Sequence, residues 1–265
     1  MHPMKSLREY FDVYEVTAVS FDRSCTAFSA RNDSIQYIDT EKAVEYAKKA
    51  IDKERIDDAT IVILVPQTDN EPPSSYGIEA FCYQSVTDSH SDSDIPTGCS
   101  VSYVPLPLDA NMGVIKVTDS GTLLHEAIGH GFAKLADETS LGINTYGGSD
   151  SEYPKSDKEC FVEEQKFGYG RNISFDSDVT KSYWADFAAD SRYDLEKLGC
   201  YEGALHHGTG VYRPTEYSIM RGANSTAGFN VASRVMIYKR CMKIAYGDSW
   251  KFDYEEFVKF DLIWL

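Results

Sequence analysis

The chain contains no apolar run near the roughly 18 residues that a membrane-spanning helix needs, so no stretch of it reads as a span. Its opening residues, Met1-His2-Pro3-Met4-Lys5-Ser6, lack the apolar stretch of a secretory signal peptide. Basic residues are scarce: 26 Lys and Arg stand against 42 Asp and Glu, for a formal net charge of -16. Non-specific binding of nucleic acid or of an anionic membrane needs clustered positive charge, and this balance excludes both. The six cysteines, Cys25, Cys82, Cys99, Cys160, Cys200 and Cys241, include no Cys-x-x-Cys pair, which excludes a cysteine-only zinc site. An even count allows three disulfides, and isolated buried thiols are an equal reading.

What is present is a 265-residue chain, 42% hydrophobic, enough for one sizeable core or two closely joined lobes. The pattern predicts a first strand over Tyr10–Ser20, where apolar residues alternate, then a helix over Glu41–Lys53 capped by Thr40. The unbroken apolar run Thr60–Pro66 predicts a buried central strand. Further strands are expected over Ile78–Ser85, Ser100–Val104 and Gly113–Val117, either of the last two serving as a cleft edge for an extended substrate. Strands alternating with a crossover helix indicate an α/β class with a mixed twisted sheet. Beyond residue 139 the expectation is a mostly helical lobe, with helical segments over Lys181–Leu198, closed by Gly199, and over Asn230–Ala245.

The chemistry concentrates in Leu123-Leu124-His125-Glu126-Ala127-Ile128-Gly129-His130-Gly131-Phe132. Two imidazoles on one helix face, with a carboxylate beside the first, supply two zinc ligands and a base for a metal-activated water. The usual spacing is i and i+4. Here it is i and i+5, which on an ideal α-helix turns the two rings about 140° apart. A π-type distortion restores a common face, such distortions gather at functional sites, and Gly129 is placed to absorb it. Capping residues Thr118–Thr122 precede this helix.

In metzincin-type zinc proteases the chain turns after this helix and returns a third ligand. Asp137 is placed for that role, with Glu138 as the alternative. His125-Glu126, Gly129-His130, Phe132 and Leu135-Ala136-Asp137-Glu138 together resemble the signature of the IgA-peptidase family of bacterial zinc metalloendopeptidases. Gly199-Cys200-Tyr201-Glu202-Gly203-Ala204 and Gly210-Val211-Tyr212-Arg213-Pro214-Thr215, running on to Ser218-Ile219-Met220-Arg221, are similar to a second block of that family, and Phe252–Asp261 to its catalytic-domain end. The chain departs from the family in its longer histidine spacing and in Ala133, where a glycine is expected.

The resemblance implies a zincin-like fold: a single catalytic domain over 1–265, with an upper lobe of about 8–138 and a lower lobe of about 139–265, truncated at both ends. It implies a zinc-dependent endopeptidase of protein or peptide substrates, exported or at the cell surface, holding one Zn²⁺ through His125, His130 and Asp137 with Glu126 as catalytic base. Met220 resembles the methionine turn beneath the zinc of metzincins. Tyr217, Tyr212 and Arg213 are candidates for oxyanion or substrate contacts, whereas Glu202 reads as a structural acceptor and His206 and His207 as incidental. The rival expectations are an inactive zincin-fold module that binds protein or glycan, and a zinc hydrolase of cell-wall amides.

Overall fold

The computed structural model describes residues 2–17, 28–31, 34–67, 81–83, 94–109, 114–115, 120–140, 151–222 and 225–263. It is mixed α/β and divides into two compact units. One comprises Asp12–Ser89 and Thr97–Phe132 and carries the larger sheet; the other comprises Met1–Phe11, His90–Pro96 and Ala133–Leu265 and carries most of the helix.

In the sheet unit, β1 (Phe28–Arg31) and β2 (Ser34–Ile38) form an antiparallel hairpin. Helix α1 spans Thr40–Ala47. Its cap is Asp39 rather than Thr40: Oδ1 of Asp39 accepts the Lys42 amide at 2.9 Å, and a carboxylate at the positive helix end outcompetes a hydroxyl already inside the first turn. The helix also stops short of Lys53, where a 3₁₀ segment, Lys53–Asp58, takes over.

Strand β3 (Thr60–Gln67) pairs in parallel with β5 (Ser100–Asp109), and β4 (Phe81–Tyr83) pairs antiparallel on the other side of β5. The short β6 (Val114–Ile115) pairs antiparallel with Leu108 and Asp109 at the end of β5. The central strand is therefore β5, and β3 is the outer one in the order β3-β5-β4, contrary to the reading of the Thr60–Pro66 run as central. On β3, Ile61 joins the cluster of Val44, Ile56 and Cys99, while Leu64 is 50% exposed. Flanked on both sides, β5 is not a free edge; β6 is the remaining candidate. The expected Tyr10–Ser20 strand is also absent from its described part. Arg8–Tyr10 is a 3₁₀ turn, Phe11–Thr17 has no strand partner among the described residues, and Val13 is 81% exposed, so its alternation records no burial. Residues 18–20 lie outside the described set.

In the helical unit, α3 covers Lys155–Lys166, β7 (Tyr201–Ala204) and β8 (His207–Arg213) form an antiparallel hairpin, and α5 (Val231–Tyr246) and α6 (Tyr254–Leu262) follow. The Lys181–Leu198 segment is not one helix. It breaks into 3₁₀ turns at Val179–Lys181 and Ser191–Glu196 around a single α-turn, α4 (Ala185–Ala188). Asp178 and Asp190 each accept a backbone amide two residues on, restarting the chain locally, and Lys197 at φ 52°, not Gly199, ends the last turn.

Asn230 caps α5, its Oδ1 accepting the Ser233 amide at 3.0 Å. The helix is covered on nearly all sides rather than on one face, and buries Arg234 and Arg240. A buried guanidinium needs counter-charge. Arg234 has it: Nε and Nη2 donate to the two oxygens of Asp261 at 2.7 and 2.6 Å, and Nη1 donates to the Phe229 carbonyl. His2 lies 2.8 Å from the same Asp261 oxygen, tying the N-terminal residues to α6. Cys99, Cys160, Cys200 and Cys241 are free thiols, and among the described residues no helix is long and apolar enough to cross a membrane.

Candidate metal centre

The motif segment begins as a single α-turn, α2 (Ser120–Leu123), and widens into a π-helix over Leu124–Phe132. In a π-helix the bonded neighbours are five apart rather than four, which is the spacing of His125 and His130. The two rings accordingly meet edge-on, with Nε2 atoms 3.0 Å apart and planes at 84°. The whole motif is widened, not only the step at Gly129.

The sheet holds the widened helix in place. Ser100 and Ser102 point to one face of β5 because side chains alternate along a strand. Their hydroxyls donate to the carbonyls of Gly131 at 2.8 Å and Glu126 at 3.0 Å. A side chain at Gly131 would meet Thr60 Cγ2 at 2.9 Å and Ser102 Oγ at 3.0 Å, so glycine here permits the close approach of helix to sheet. Glu126 is buried, with Oε1 4.0 Å from Nε2 of His125.

The π-helix ends at Phe132, and Lys134 lies in the left-handed region at φ 54°. Asp137 follows. His125, His130 and Asp137 each present a ligand atom within 4.8 Å of the other two, all carried by one short run of chain. Two imidazoles and a carboxylate form a donor set that suits zinc, and donors at about 2.0–2.2 Å from a tetrahedral zinc lie roughly 3.3–3.6 Å from each other. The imidazole pair is already near that spacing, and the Asp137 carboxylate offers a third donor atom within 4.8 Å of both. The residues present therefore fit one divalent ion.

Glu138 does not belong to this group. It is fully buried, and its carboxylate takes hydrogen bonds from Asn172 Nδ2 at 3.0 Å, from Asn230 Nδ2 at 3.1 Å and from the Ser218 hydroxyl. Burial pushes its pKa up, against the opposing pull of these donors. Its backbone amide donates to the carbonyl of Met220 at 2.9 Å. Glu138 thus ties the Ser218-Ile219-Met220 turn, with Ile219 and Met220 fully buried, to the residue next to Asp137. Asn172 holds the same segment from the other side: its Oδ1 accepts the Ala136 amide and its Nδ2 donates to the Ala136 carbonyl, both at 2.9 Å.

The remaining expected contacts have other occupations. Arg213 is 5% exposed, and its Nη1 donates to the Glu202 carbonyl at 2.7 Å, holding the β7 backbone. Tyr212 sits on β8, where its backbone exchanges two bonds with Ser174. Tyr217 is 63% exposed, with the Arg221 guanidinium 5.2 Å from its ring centre. Glu202 is a structural acceptor, taking the Gly210 amide at 3.1 Å. One residue that the sequence left as incidental does reach the site: His206 places Nε2 3.3 Å from Oδ2 of Asp137. No spacing rule marks it. The nearest signal is two residues between runs that alternate as strands, a tight-turn length without the usual turn residues.

Comparison with protein-family models and with curated proteins returns no match.

Proposed function

We propose that the chain is a zinc-dependent endopeptidase in which His125, His130 and Asp137 hold the metal and Glu126 is the catalytic base. The observation that carries this reading is the widened helix. A π-helix is a rare departure from the α-form, and here it runs through the whole motif and brings the Nε2 atoms of two imidazoles five residues apart to within 3.0 Å. The resemblance of the flanking blocks to the IgA-peptidase family supports the same chemistry and the choice of a peptide bond as substrate.

A zinc ion bound by this donor set supplies a Lewis acid for a carbonyl oxygen and for water. The chain's own residues do the proton work. Glu126, shielded from solvent and beside His125, accepts the proton of the attacking water and passes it to the leaving amine nitrogen. Asp137 lends negative charge to the site, and the π-helix keeps both rings at fixed separation with their Nε2 atoms turned inward.

Glu126→Ala should bind metal with wild-type stoichiometry and lose hydrolysis of an unfolded, fluorescently labelled protein by several orders of magnitude. His130→Ala should lose stoichiometric zinc, read by atomic absorption after dialysis. A His130→Ala chain that still carries one zinc, or a Glu126→Ala chain that still turns over, refutes the assignment. Wild-type protein that binds zinc and cleaves neither unfolded proteins nor peptidoglycan amides is a binding module instead.

A further inference from the structure

The hairpin β7–β8 turns through two residues, Leu205 and His206, between the paired Ala204 and His207. Both have positive φ, 50° and 62°. A two-residue turn of this type demands the left-handed region at both positions, which is why Asn-Gly and Gly-Gly dominate it. Leucine and histidine are poor choices there, and non-glycine residues in this region persist when something else holds them.

For Leu205 the compensation is apolar: it packs against the cluster of Ala136, Ile173, Ala204 and Val211. His206 has no such burial, its side chain being 38% exposed, and its ring instead meets Oδ2 of Asp137 at 3.3 Å. The turn is fastened independently of either side chain. The Leu205 amide donates to the Asp137 carbonyl at 3.0 Å and the His206 amide to the Thr139 carbonyl at 2.8 Å. The tip of the hairpin is thus bonded along the segment that carries the third ligand of the metal group.

We propose that His206 is a positioning residue for Asp137, donating to one carboxylate oxygen so that the other is presented to the metal. This rests on the reading of Asp137 as a metal ligand. Carboxylate ligands are commonly held by such outer hydrogen bonds, and their loss typically lowers metal affinity by about 10–100-fold. The strained backbone at His206 is then explained by the placement of its ring.

The test separates positioning from folding because the two predict opposite signs. His206→Gly removes the ring but keeps the amide that bonds Thr139, and it relieves the positive φ. Metal-free protein should melt at the wild-type temperature or above. Its affinity for Zn²⁺, measured by competition with a chromophoric chelator, should fall about 10–100-fold. His206→Gln, which can carry an amide donor towards the same oxygen, should recover most of that loss. The proposal is overturned by His206→Gly retaining wild-type affinity within about twofold. It is equally overturned by a lowered melting temperature of the metal-free protein with an affinity loss that His206→Gln does not repair. A wild-type chain that takes up no zinc overturns this proposal together with the reading beneath it, whereas a zinc-binding wild type with an unaffected His206→Gly removes only the role of His206.

Discussion

Replacing Asn172 by alanine should be among the most damaging single changes in the helical unit, although the side chain bonds to none of His125, His130 and Asp137. Asn172 is fully buried and makes three hydrogen bonds: it accepts the Ala136 amide, donates to the Ala136 carbonyl and donates to Oε1 of Glu138. The first two imitate a backbone pairing and satisfy the polar groups of a residue that is itself buried. In Asn172→Ala both Ala136 groups lose their partner out of reach of bulk water, at about 1–3 kcal/mol each, and Glu138 loses one of three donors. These terms overlap and a water entering the vacated space recovers part of them, so the expected loss is about 3–5 kcal/mol. At about 2–4 °C per kcal/mol for a chain of this size class, the melting temperature should fall by roughly 6–20 °C.

A surface ion pair supplies the contrast. Lys166 and Glu163 approach to 2.6 Å, shorter than any of the Asn172 bonds, yet their side chains are 60% and 66% exposed. Lys166→Ala should cost under about 1 kcal/mol, because water replaces what is lost. The assay is urea unfolding of metal-free protein followed by tryptophan fluorescence, with Trp184 and Trp250 both in the unit that holds Asn172. Asn172→Asp sharpens the test. It keeps an acceptor for the Ala136 amide but sets a second carboxylate against Glu138, and should be worse than alanine unless Glu138→Gln accompanies it. An Asn172→Ala loss below about 1 kcal/mol, no larger than that of Lys166→Ala, would refute the claim that this amide clamps the Ala136–Glu138 segment.

Thiol reactivity offers a second check. Burial pushes the Cys241 thiol up to about 12 and Cys200 up to about 11, whereas Cys160 is exposed. At pH 8 a disulfide reagent should label Cys160 rapidly in native protein and reach Cys99 and Cys241 only on unfolding; fast native labelling of Cys241 contradicts the burial of α5. Acid stability gives a third. Burial alone would raise the Asp261 pKa, but the hydrogen bonds and charges of Arg234 and His2 outweigh it and hold it below 3.8. A lowered carboxylate pKa contributes stability that is complete above the unfolded value, near 4, and is lost as pH falls through the folded one. Asp261→Asn leaves Arg234 one carboxylate, Glu196 at 2.5 Å, and should therefore cost about 1–3 kcal/mol at neutral pH and flatten the fall in stability below pH 4. An acid limb of unchanged steepness would place the titrating group elsewhere.

How far the fold was legible follows from which constraints are local. The five-residue histidine spacing could share a metal only by leaving the α-form, and the helix does leave it from Leu124 to Phe132. Helix α5 announced itself by its period. The failures share a cause in tertiary context. Alternation over Tyr10–Ser20 resembled a strand because pattern does not say whether the apolar side is covered, and Val13 is 81% exposed. Helix α3 was missed because Phe161 and Val162 are its only large apolar residues in a mostly charged sequence, while its buried member is polar: Gln165, whose Nε2 donates to the carbonyls of Gly170 and Ile173.

The candidate site divides along the same line. His125, Glu126 and His130 are fixed by an intrahelical relation, so sequence carries them; Asp137 follows a turn whose left-handed residue, Lys134, is not one that sequence rules assign there. His206 reaches Asp137 across a gap of 69 positions, through a turn whose residues violate the usual turn chemistry. That violation is the informative part. Where a local rule is broken without local benefit, the compensating interaction lies elsewhere in the fold, and at Leu205-His206 the two compensations can be named: an apolar cluster for one residue and a carboxylate for the other. Substituting Asn-Gly for the pair would satisfy the turn and remove both, so a gain in hairpin propensity should accompany a loss of core packing and of metal affinity together.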